Sequence, residues 1–341
     1  MPLYPVNSLF HGYKSTILSD MNHPGKKSAP VILGPTASGK TPVGVKIAEL
    51  LNSEVISADS RLVYRQLDIG TAKPTAEEMG PVPHHLIDIV NPDESFSVAD
   101  YQSQAYQKMA EIFTEGKIPV IVGGTGLYIR ALENNPSFQN QPPDDSVREK
   151  ILEELDESGT DALYAELKEF DPSAAEKIHP NNIPRLVRAL EVIRLTGRKF
   201  SEGIDSDESS ENECPYKFVL YGLKPDRELL YTRINDRVDK MIADGWVEEV
   251  RRILDGGYTG NEKPLAGLGY RDMIKYVRGE CTLSDAVERV KRDTRRFAKR
   301  QMTWFRSMEN IEWMEIDENS GIVETANKIL ENFMLHLSGN K

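Results

Sequence analysis

A chain of 341 residues, 39% of them hydrophobic, is long enough to bury a substantial core, and its length predicts about two domains. No apolar run approaches the ~18 residues that a membrane-spanning helix needs, so we expect a soluble protein with no membrane association. The formal net charge of −12 argues against nucleic-acid binding by the whole surface, but it leaves room for local basic patches. Cys214 and Cys281 stand alone, which predicts neither a disulfide framework nor a zinc site and fits a reducing compartment.

The N-terminal segment, residues 1–29, lacks hydrophobic periodicity, and up to Ser19 it carries Lys14 as its one charged residue. We predict a disordered extension, either a tail or an over-long start that precedes a native first residue at Met21. An organellar transit peptide is the alternative. The expected location is therefore cytoplasmic, or organellar if this segment is a transit peptide.

Five apolar segments bounded by turn residues have the character of β-strands. They lie at 30–33, 54–57, 118–122, 217–223 and 311–316, with helical patterns between them. This alternation predicts an α/β fold with a parallel sheet flanked by helices. Ser97 and Asp100 have the spacing of a capping box, which predicts a helix that begins after Ser97.

The strand pattern stops between residues 131 and 200, where amphipathic helical patterns occupy 146–154, 162–170 and 184–195. We predict an all-helical domain inserted into an α/β core that consists of residues 30–130 and 201–341. Residues 205–213 are acidic and contain no apolar side chain, which predicts a mobile loop.

A phosphate-binding loop follows the first predicted strand and precedes a helical pattern. The segment matches G-x-x-x-x-G-K-[ST] and consists of Gly34, Pro35, Thr36, Ala37, Ser38, Gly39, Lys40 and Thr41. The glycines let backbone N–H groups converge on phosphate oxygens, the helix N-terminus adds positive potential, Lys40 adds a charge and Thr41 can ligate Mg²⁺. This pattern predicts a phosphate site without saying what is done with the phosphate.

The strand at 118–122 runs into Gly123-Gly124-Thr125-Gly126, without an acidic residue at its end. A hydrolytic P-loop ATPase usually has an acid there that organises the metal ion. The sequence therefore disfavours a motor-type ATPase. A kinase of a small hydroxyl metabolite stays open.

Asp59 follows the second predicted strand, and in a parallel sheet that strand ends on the same edge as the phosphate loop. An aspartate in such a position is often a helix N-cap, so its place alone does not make it catalytic.

Seven blocks, in order between about residue 30 and residue 316, closely resemble the tRNA dimethylallyltransferase family. They are GPTASGKT at 34–41, DS at 59–60 running into DIGTAKP at 68–74, HHLID at 84–88, GGTGLY at 123–128, RLVRALEV at 185–192, GYR at 269–271 and AKRQMTWF at 298–305. The resemblance implies a P-loop NTPase-like core that transfers a dimethylallyl group from dimethylallyl pyrophosphate to tRNA. The acceptor would be the exocyclic amine of the adenine 3′-adjacent to the anticodon, and pyrophosphate would be released.

The same resemblance assigns roles to several residues. Lys40, Mg²⁺ held by Thr41, and Arg237 would stabilise charge on the leaving pyrophosphate. Asp59 would accept the proton of the adenine amine. Thr125 would hydrogen-bond at the same place, although a threonine after two glycines can also cap the next helix. Arg237 could instead pair with surface acids.

Contacts to the tRNA anticodon loop are also implied by the resemblance. The residues concerned are Asp59, Ser60, Arg61, Leu62, Thr125, Arg148, Pro184, Arg185, Leu186, Val187, Arg188, Ala266, Gly267, Leu268, Gly269, Tyr270 and Arg271. Many family members carry glutamine where this chain has Leu62, and residues 264–268 depart from the commoner glutamine-containing version. Base-specific contacts at those two places are therefore in doubt.

Residues 289–306 contain eight lysines and arginines against one acid, Asp293. Such a run is usually a solvated helix face, but beside the family resemblance it predicts a surface that faces RNA phosphates. No Cys/His zinc finger follows the core, unlike the eukaryotic cytosolic branch, so we expect a bacterial or organellar type. We also expect a monomer.

Three other functions stay open at this point. An adenylate isopentenyltransferase would share the phosphate loop and the acid but would not need the helical insertion or the basic run. A P-loop kinase would use Asp59 as its base. A non-catalytic tRNA-binding protein would keep a vestigial phosphate loop.

Overall fold

The computed structural model describes residues 26–134, 144–201 and 214–339. Within them, six strands form one parallel sheet in the order β3-β2-β4-β1-β5-β6. The strands are β1 (Lys27–Leu33), β2 (Val55–Ser57), β3 (His84–His85), β4 (Val120–Gly123), β5 (Tyr216–Pro225) and β6 (Ile311–Ile316). The predicted α/β fold with a parallel sheet is confirmed.

Helices lie between and after these strands. They are α1 (Lys40–Leu50), α2 (Ala76–Met79), α3 (Val98–Thr114), α4 (Gly126–Asn134), α5 (Asp145–Phe170), α6 (Pro172–Lys177), α7 (Ile183–Thr196), α8 (Arg227–Ala243), α9 (Trp246–Asp255), α10 (Tyr270–Val277), α11 (Leu283–Arg306) and α12 (Ile322–Leu337). Helix α3 begins as predicted, because Ser97 Oγ accepts from Asp100 N at 3.1 Å and Asp100 Oδ2 accepts from Ser97 N at 2.8 Å. No described helix combines the length and the hydropathy that crossing a bilayer requires.

Strands β2 and β4 are buried along their whole length and β1 is buried from Ser28 onward, as expected when both faces of a parallel sheet are covered. Val31 of β1 pairs with Ile121 of β4 on one side and with Leu220 of β5 on the other. All five predicted strands are present, with ends displaced by up to three residues. Strand β3 was not predicted, because two residues are too short to show an alternating pattern.

The start of β1 corrects the predicted N-terminal extension, because residues 27–29 belong to the sheet. Lys27 pairs with Tyr216, and Ser28 and Ala29 are buried. The prediction ended the extension too late because Lys27 and Ser28 interrupt the apolar run. Residues 1–25 and the acidic segment at 205–213 lie outside the described residues.

Packing divides the chain into two compact units, Met1–Glu133 together with Pro215–Lys341, and Asn134–Cys214. The predicted insertion began at residue 131, but Ile129 and Leu132 of α4 pack into the core of the first unit. The second unit has a hydrophobic core of its own, formed by side chains of α5, α6 and α7. Helix α5 is interrupted at Gly159, where φ is 79° and ψ is 171°.

Candidate active site

The phosphate loop connects β1 to α1, which confirms the strand–loop–helix context predicted for it. Its turn needs left-handed backbone at Ala37 (φ 62°) and at Gly39 (φ 87°). Gly39 is the N-cap of α1 and supplies no side-chain cap, so N–H groups of the first turn are left for an anion. Ala37 packs against apolar side chains of α8 and α11, which support the loop from the side.

Two cations converge on this loop. Lys40 Nζ donates to the Pro35 carbonyl at 3.3 Å, and burial lowers the pKa of Lys40 to about 8, while Asp59 raises it and Arg237 lowers it. Arg237 Nη1 donates to Thr36 Oγ1 at 3.1 Å and Nη2 to the Ala72 carbonyl at 3.4 Å. Arg237 therefore faces the phosphate loop, and the alternative that it pairs with surface acids is not what the structure shows.

The residues present fit a bound pyrophosphate. Ser38 Oγ is buried without a hydrogen-bond partner among the described residues, which leaves a hydroxyl that can donate to a phosphate oxygen. Burial also lowers the pKa of Arg237, because it removes water from the charged guanidinium. An anion bound between Arg237 and Lys40 would offset this desolvation of the two cations. No group of three or more His, Cys, Asp or Glu side chains suited to a metal ion occurs in the described part of the chain.

Asp59 lies two residues after the end of β2, on the strand-end edge that also carries the phosphate loop. Its Oδ1 accepts from Arg61 N at 2.9 Å, and the next helix, α2, begins only at Ala76. Asp59 is therefore not a helix cap. It acts electrostatically on both cations, since it raises the pKa of Lys40 and of Arg237.

Thr125 joins the end of β4 to the segment that follows Asp59. Its Oγ1 accepts from Ser60 N at 3.0 Å and lies 3.3 Å from Ser60 Oγ. The hydroxyl is committed to Ser60 rather than to capping α4. Gly123 permits this approach, because an added Cβ there would lie 2.1 Å from the Ala58 carbonyl oxygen.

Gln301 of α11 was not singled out by the sequence analysis, yet it holds the two halves of the site together. It is buried, its Oε1 accepts from Thr36 N at 2.9 Å, and its Nε2 donates to the Gly124 carbonyl at 2.9 Å. The signal that could have found it is its place on the buried stripe of α11, between Ala298 and Phe305. A polar residue on an apolar stripe needs polar partners.

Replacement of Gln301 with leucine is expected to lower both stability and activity. The change leaves the Thr36 N–H and the Gly124 C=O without partners, at a cost of about 1–3 kcal/mol each. Denaturant unfolding and steady-state kinetics would check this, with Gln104→Leu on the exposed face of α3 as the matched control. Equal stability of the two variants would show that the bridge is dispensable.

Glu249 of α9 is a second residue that the sequence analysis missed. Its buried carboxylate accepts from the backbone N–H groups of Asp68 (2.9 Å), Ile69 (2.7 Å) and Gly70 (3.1 Å), and from Tyr270 OH (2.6 Å). The turn held in this way leads to the Ala72 carbonyl that receives Arg237. Glu249 thus orders the segment against which the site arginine rests.

Three side chains predicted to contact tRNA are buried instead, so those contacts are corrected. Leu186 and Val187 belong to the core of the helical unit, because they lie on the inward face of α7. Tyr270 is buried against Trp246 and donates to Glu249. Arg188 is not free either, since its Nη1 lies 2.9 Å from the buried carboxylate of Glu191.

Other predicted contact residues have accessible positions. Pro184, Arg185, Ala266 and Arg271 are exposed, and the group of Ser60, Leu62, Arg148, Gly267 and Leu268 is partly exposed. Gly269 is buried with φ 85° at the start of α10. The structure also brings Arg61 to the 264–268 segment, because its Nη1 donates to the Pro264 carbonyl at 3.3 Å.

Comparison with known proteins identifies the family to which the chain is similar. A family model described as "IPP transferase" matches residues 62–308. The tRNA dimethylallyltransferase of Acetivibrio thermocellus is 47% identical over 308 residues, which cover 90% of this chain and 96% of that relative.

Solved structures agree with this relationship. The crystal structure of the tRNA isopentenylpyrophosphate transferase from Bacillus halodurans aligns with a TM-score of 0.68 at 42% identity, over 92% of this chain and 99% of that one. A eukaryotic dimethylallyltransferase, described as acting on tRNA, aligns with a TM-score of 0.77 at 26% identity, over 92% of this chain and 80% of that one. The chain therefore belongs to the IPP transferase family, among relatives that are tRNA dimethylallyltransferases.

Proposed function

We propose that this protein transfers a dimethylallyl group from dimethylallyl pyrophosphate to the exocyclic amine of the adenine 3′-adjacent to the anticodon of tRNA. One observation supports this most: Asp59, a carboxylate, shares a sheet edge with a phosphate loop, and two partly enclosed cations, Lys40 and Arg237, converge on that loop. The family's relatives are named for this reaction. A phosphate site combined with a base suits an alkyl transfer in which pyrophosphate leaves.

The chemistry follows from these positions. The amine nitrogen attacks the first carbon of the dimethylallyl group, the carbon–oxygen bond to pyrophosphate breaks, and its electron pair stays on the pyrophosphate oxygen. Lys40 and Arg237 stabilise that developing charge, as do backbone N–H groups of the α1 N-terminus. Asp59 accepts the proton that the amine loses.

In this scheme, Thr125 and Arg61 hold the general base, Asp59, in position. Thr125 fixes the backbone after Asp59 through Ser60, and the Arg61 N–H orients the Asp59 carboxylate. Thr41 is the residue that would hold Mg²⁺ against the pyrophosphate. The metal, when bound, supplies further charge neutralisation on the leaving group.

A cytoplasmic monomer is part of the proposal. The residues that would act on the donor and on the acceptor amine all come from one chain: Lys40, Thr41, Asp59, Thr125 and Arg237. A second subunit is therefore not needed to complete the site.

Activity should depend on pH through Lys40. The pKa of Lys40 is lowered from 10.5 to about 8, so its charge, and with it the attraction for pyrophosphate, is lost as pH rises through that value. We expect kcat/KM for dimethylallyl pyrophosphate to fall above about pH 8, because this parameter reports ionisations of the free enzyme. A Lys40→Arg variant keeps its charge, so its profile should stay flat in that range, and a fall at the same pH would remove Lys40 as the titrating group.

The function itself is tested by prenyl transfer from radiolabelled dimethylallyl pyrophosphate in the presence of Mg²⁺. The acceptors would be unmodified tRNA, the same tRNA with the target adenine replaced, and AMP. Label in the first acceptor alone is expected. Label in AMP alone would point to an adenylate isopentenyltransferase, and Mg²⁺-dependent ATP binding without any transfer would favour the kinase.

A further inference from the structure

Lys73 is a buried lysine at the meeting point of two sequence blocks to which the proposed mechanism assigns no step. These blocks are DIGTAKP at 68–74 and HHLID at 84–88. The Lys73 side chain is only 8% exposed. Lysine is rarely buried to this extent unless its charge is paired, so the surroundings of Lys73 have to supply partners for the ammonium group.

An ammonium group has three N–H donors, and the structure provides an acceptor for each. Lys73 Nζ donates to the Tyr64 carbonyl at 3.0 Å. It also donates to Asp68 Oδ1 and to Asp88 Oδ1, at 2.5 Å each. We call Lys73 and these three acceptors the Lys73 clamp. The clamp ties together the segment that follows β2, the turn before Lys73 and the segment that follows β3.

The peptide group between Ala72 and Lys73 connects the Lys73 clamp to the active site. Its N–H, on Lys73, donates to the Asp68 carbonyl at 2.9 Å. Its C=O, on Ala72, accepts from Arg237 Nη2 at 3.4 Å. Because the N–H and the C=O of a trans peptide group lie in one plane and point in opposite directions, the bond to Asp68 fixes the direction in which the carbonyl faces Arg237.

Ala72 has a backbone conformation that its surroundings must maintain. Its φ of 52° lies in the left-handed region, which is uncommon for residues other than glycine. Such a conformation persists only where neighbouring contacts hold it. The Lys73 clamp holds the residue after Ala72, and the Glu249 carboxylate accepts from Gly70 N, two residues before it. Loss of the Lys73 ammonium would free one side of this turn.

We propose that Lys73 is a positioning residue for the departure of pyrophosphate, because it holds the Ala72 carbonyl where that carbonyl orients Arg237. The other terminal nitrogen of Arg237, Nη1, donates to Thr36 Oγ1 at 3.1 Å, so the two contacts together fix the plane of the guanidinium. A guanidinium binds phosphate through donors in one plane, which makes that orientation important. Lys73 acts through Arg237 and does not contact the substrate. The inference rests on the proposed function for the reaction that Arg237 assists.

The test is a double-mutant cycle between Lys73→Met and Arg237→Ala. Methionine keeps most of the length of the lysine side chain and removes the ammonium group. We expect Lys73→Met to raise Kd for inorganic pyrophosphate, measured by calorimetry, and to lower kcat for tRNA prenylation. Each change should be about tenfold, the scale of one weakened hydrogen bond to a charged group. Kd for tRNA should stay unchanged, and in an Arg237→Ala background Lys73→Met should have no further effect.

The matched control is Lys117→Met, because Lys117 also bridges two carboxylates. Its Nζ lies 2.7 Å from Glu54 and 2.8 Å from Glu115, but it precedes β4, at the opposite end of that strand from Thr125. Lys117→Met should therefore change stability without changing pyrophosphate affinity or kcat. Wild-type values for Lys73→Met, or equal losses with and without Arg237, would overturn the inference and leave Lys73 a purely structural role.

A second variant keeps the test decisive if Lys73→Met does not fold. Asp88→Asn weakens one ion pair of the Lys73 clamp, and asparagine tolerates the left-handed backbone at this position, where φ is 57°. A smaller loss that again disappears with Arg237→Ala is expected, and a loss that persists would contradict the inference. A wild type that binds pyrophosphate but does not prenylate tRNA would overturn the proposed function, whereas the pyrophosphate cycle would still decide the role of Lys73.

Discussion

Substitution of Asp59 by asparagine is expected to lower kcat for tRNA prenylation by roughly 10²-fold or more, the usual scale of general-base catalysis. The amide is nearly isosteric with the carboxylate, and its oxygen can still accept the Arg61 N–H that the carboxylate accepts at 2.9 Å. The local backbone should therefore keep its conformation. Only the capacity to take the amine proton is lost, so Kd for tRNA should stay close to that of the wild type.

The same substitution at Asp255, an exposed carboxylate at the end of α9, is the matched control and should leave kcat unchanged. Single-turnover rates with saturating tRNA and donor isolate the chemical step from binding. Near-normal turnover by Asp59→Asn would refute its assignment as the base. Loss of tRNA affinity in parallel with the rate would instead make Asp59 a binding residue.

Removal of the Lys40 ammonium by Lys40→Ala should lower kcat by about 10²–10³-fold, the effect seen when one donor to a developing negative charge is lost. KM for dimethylallyl pyrophosphate should rise as well, because Lys40 faces the phosphates both before and during departure of pyrophosphate. The Lys40 Nζ reaches the Pro35 carbonyl within the loop, so part of the effect will come from a less ordered loop.

Lys46→Ala on the same helix is the appropriate comparison. Lys46 pairs with Glu49 at 2.9 Å on the outer face of α1, and its loss should change stability slightly and kinetics not at all. Measurement of kcat and KM for both variants distinguishes the specific effect of losing Lys40 from the general effect of losing a positive charge on α1. Kinetics of Lys40→Ala equal to those of the wild type would exclude Lys40 from the site.

Much of the phosphate site could be predicted from the sequence because its parts are contiguous. Gly34 through Thr41 form one segment between a strand and a helix, and the motif states the required backbone conformation. The position of Asp59 followed from one general property of parallel sheets, namely that strand ends share an edge. Both of these predictions depend on local pattern and a single topological rule.

The residues that organise the site were harder to predict because their partners are remote. Gln301 bonds Thr36 across 265 residues of sequence, and Glu249 bonds Asp68 across 181. No pattern within a window of sequence encodes such a pairing. Gln301 and Glu249 also each lie on an otherwise apolar helix face. That position predicts that the side chain is buried, but it does not predict which groups the side chain contacts.

Two of the consecutive side chains predicted to contact tRNA, Leu186 and Val187, are buried for a related reason. A run such as 184–188 lies along α7, whose period turns Leu186 and Val187 inward while Pro184 and Arg185 stay outside. Arg188 is exposed enough to contact RNA but is held by Glu191. The family resemblance identifies a segment expected to contact tRNA, whereas the geometry of the helix determines which of its side chains are exposed and able to do so.

The α/β class, the phosphate loop, the acid beside it and the helical character of residues 145–196 all follow from short-range patterns, since hydrophobic periodicity and turn residues express the backbone's own preferences. Folding alone established the sheet order, the burial of Tyr270, the pairing of Lys291, Arg292 and Arg296 with acids, and the bridge through Gln301. These features depend on which distant segments pack together, and that is governed by the balance of burial and hydrogen bonding over the whole chain rather than by any one segment.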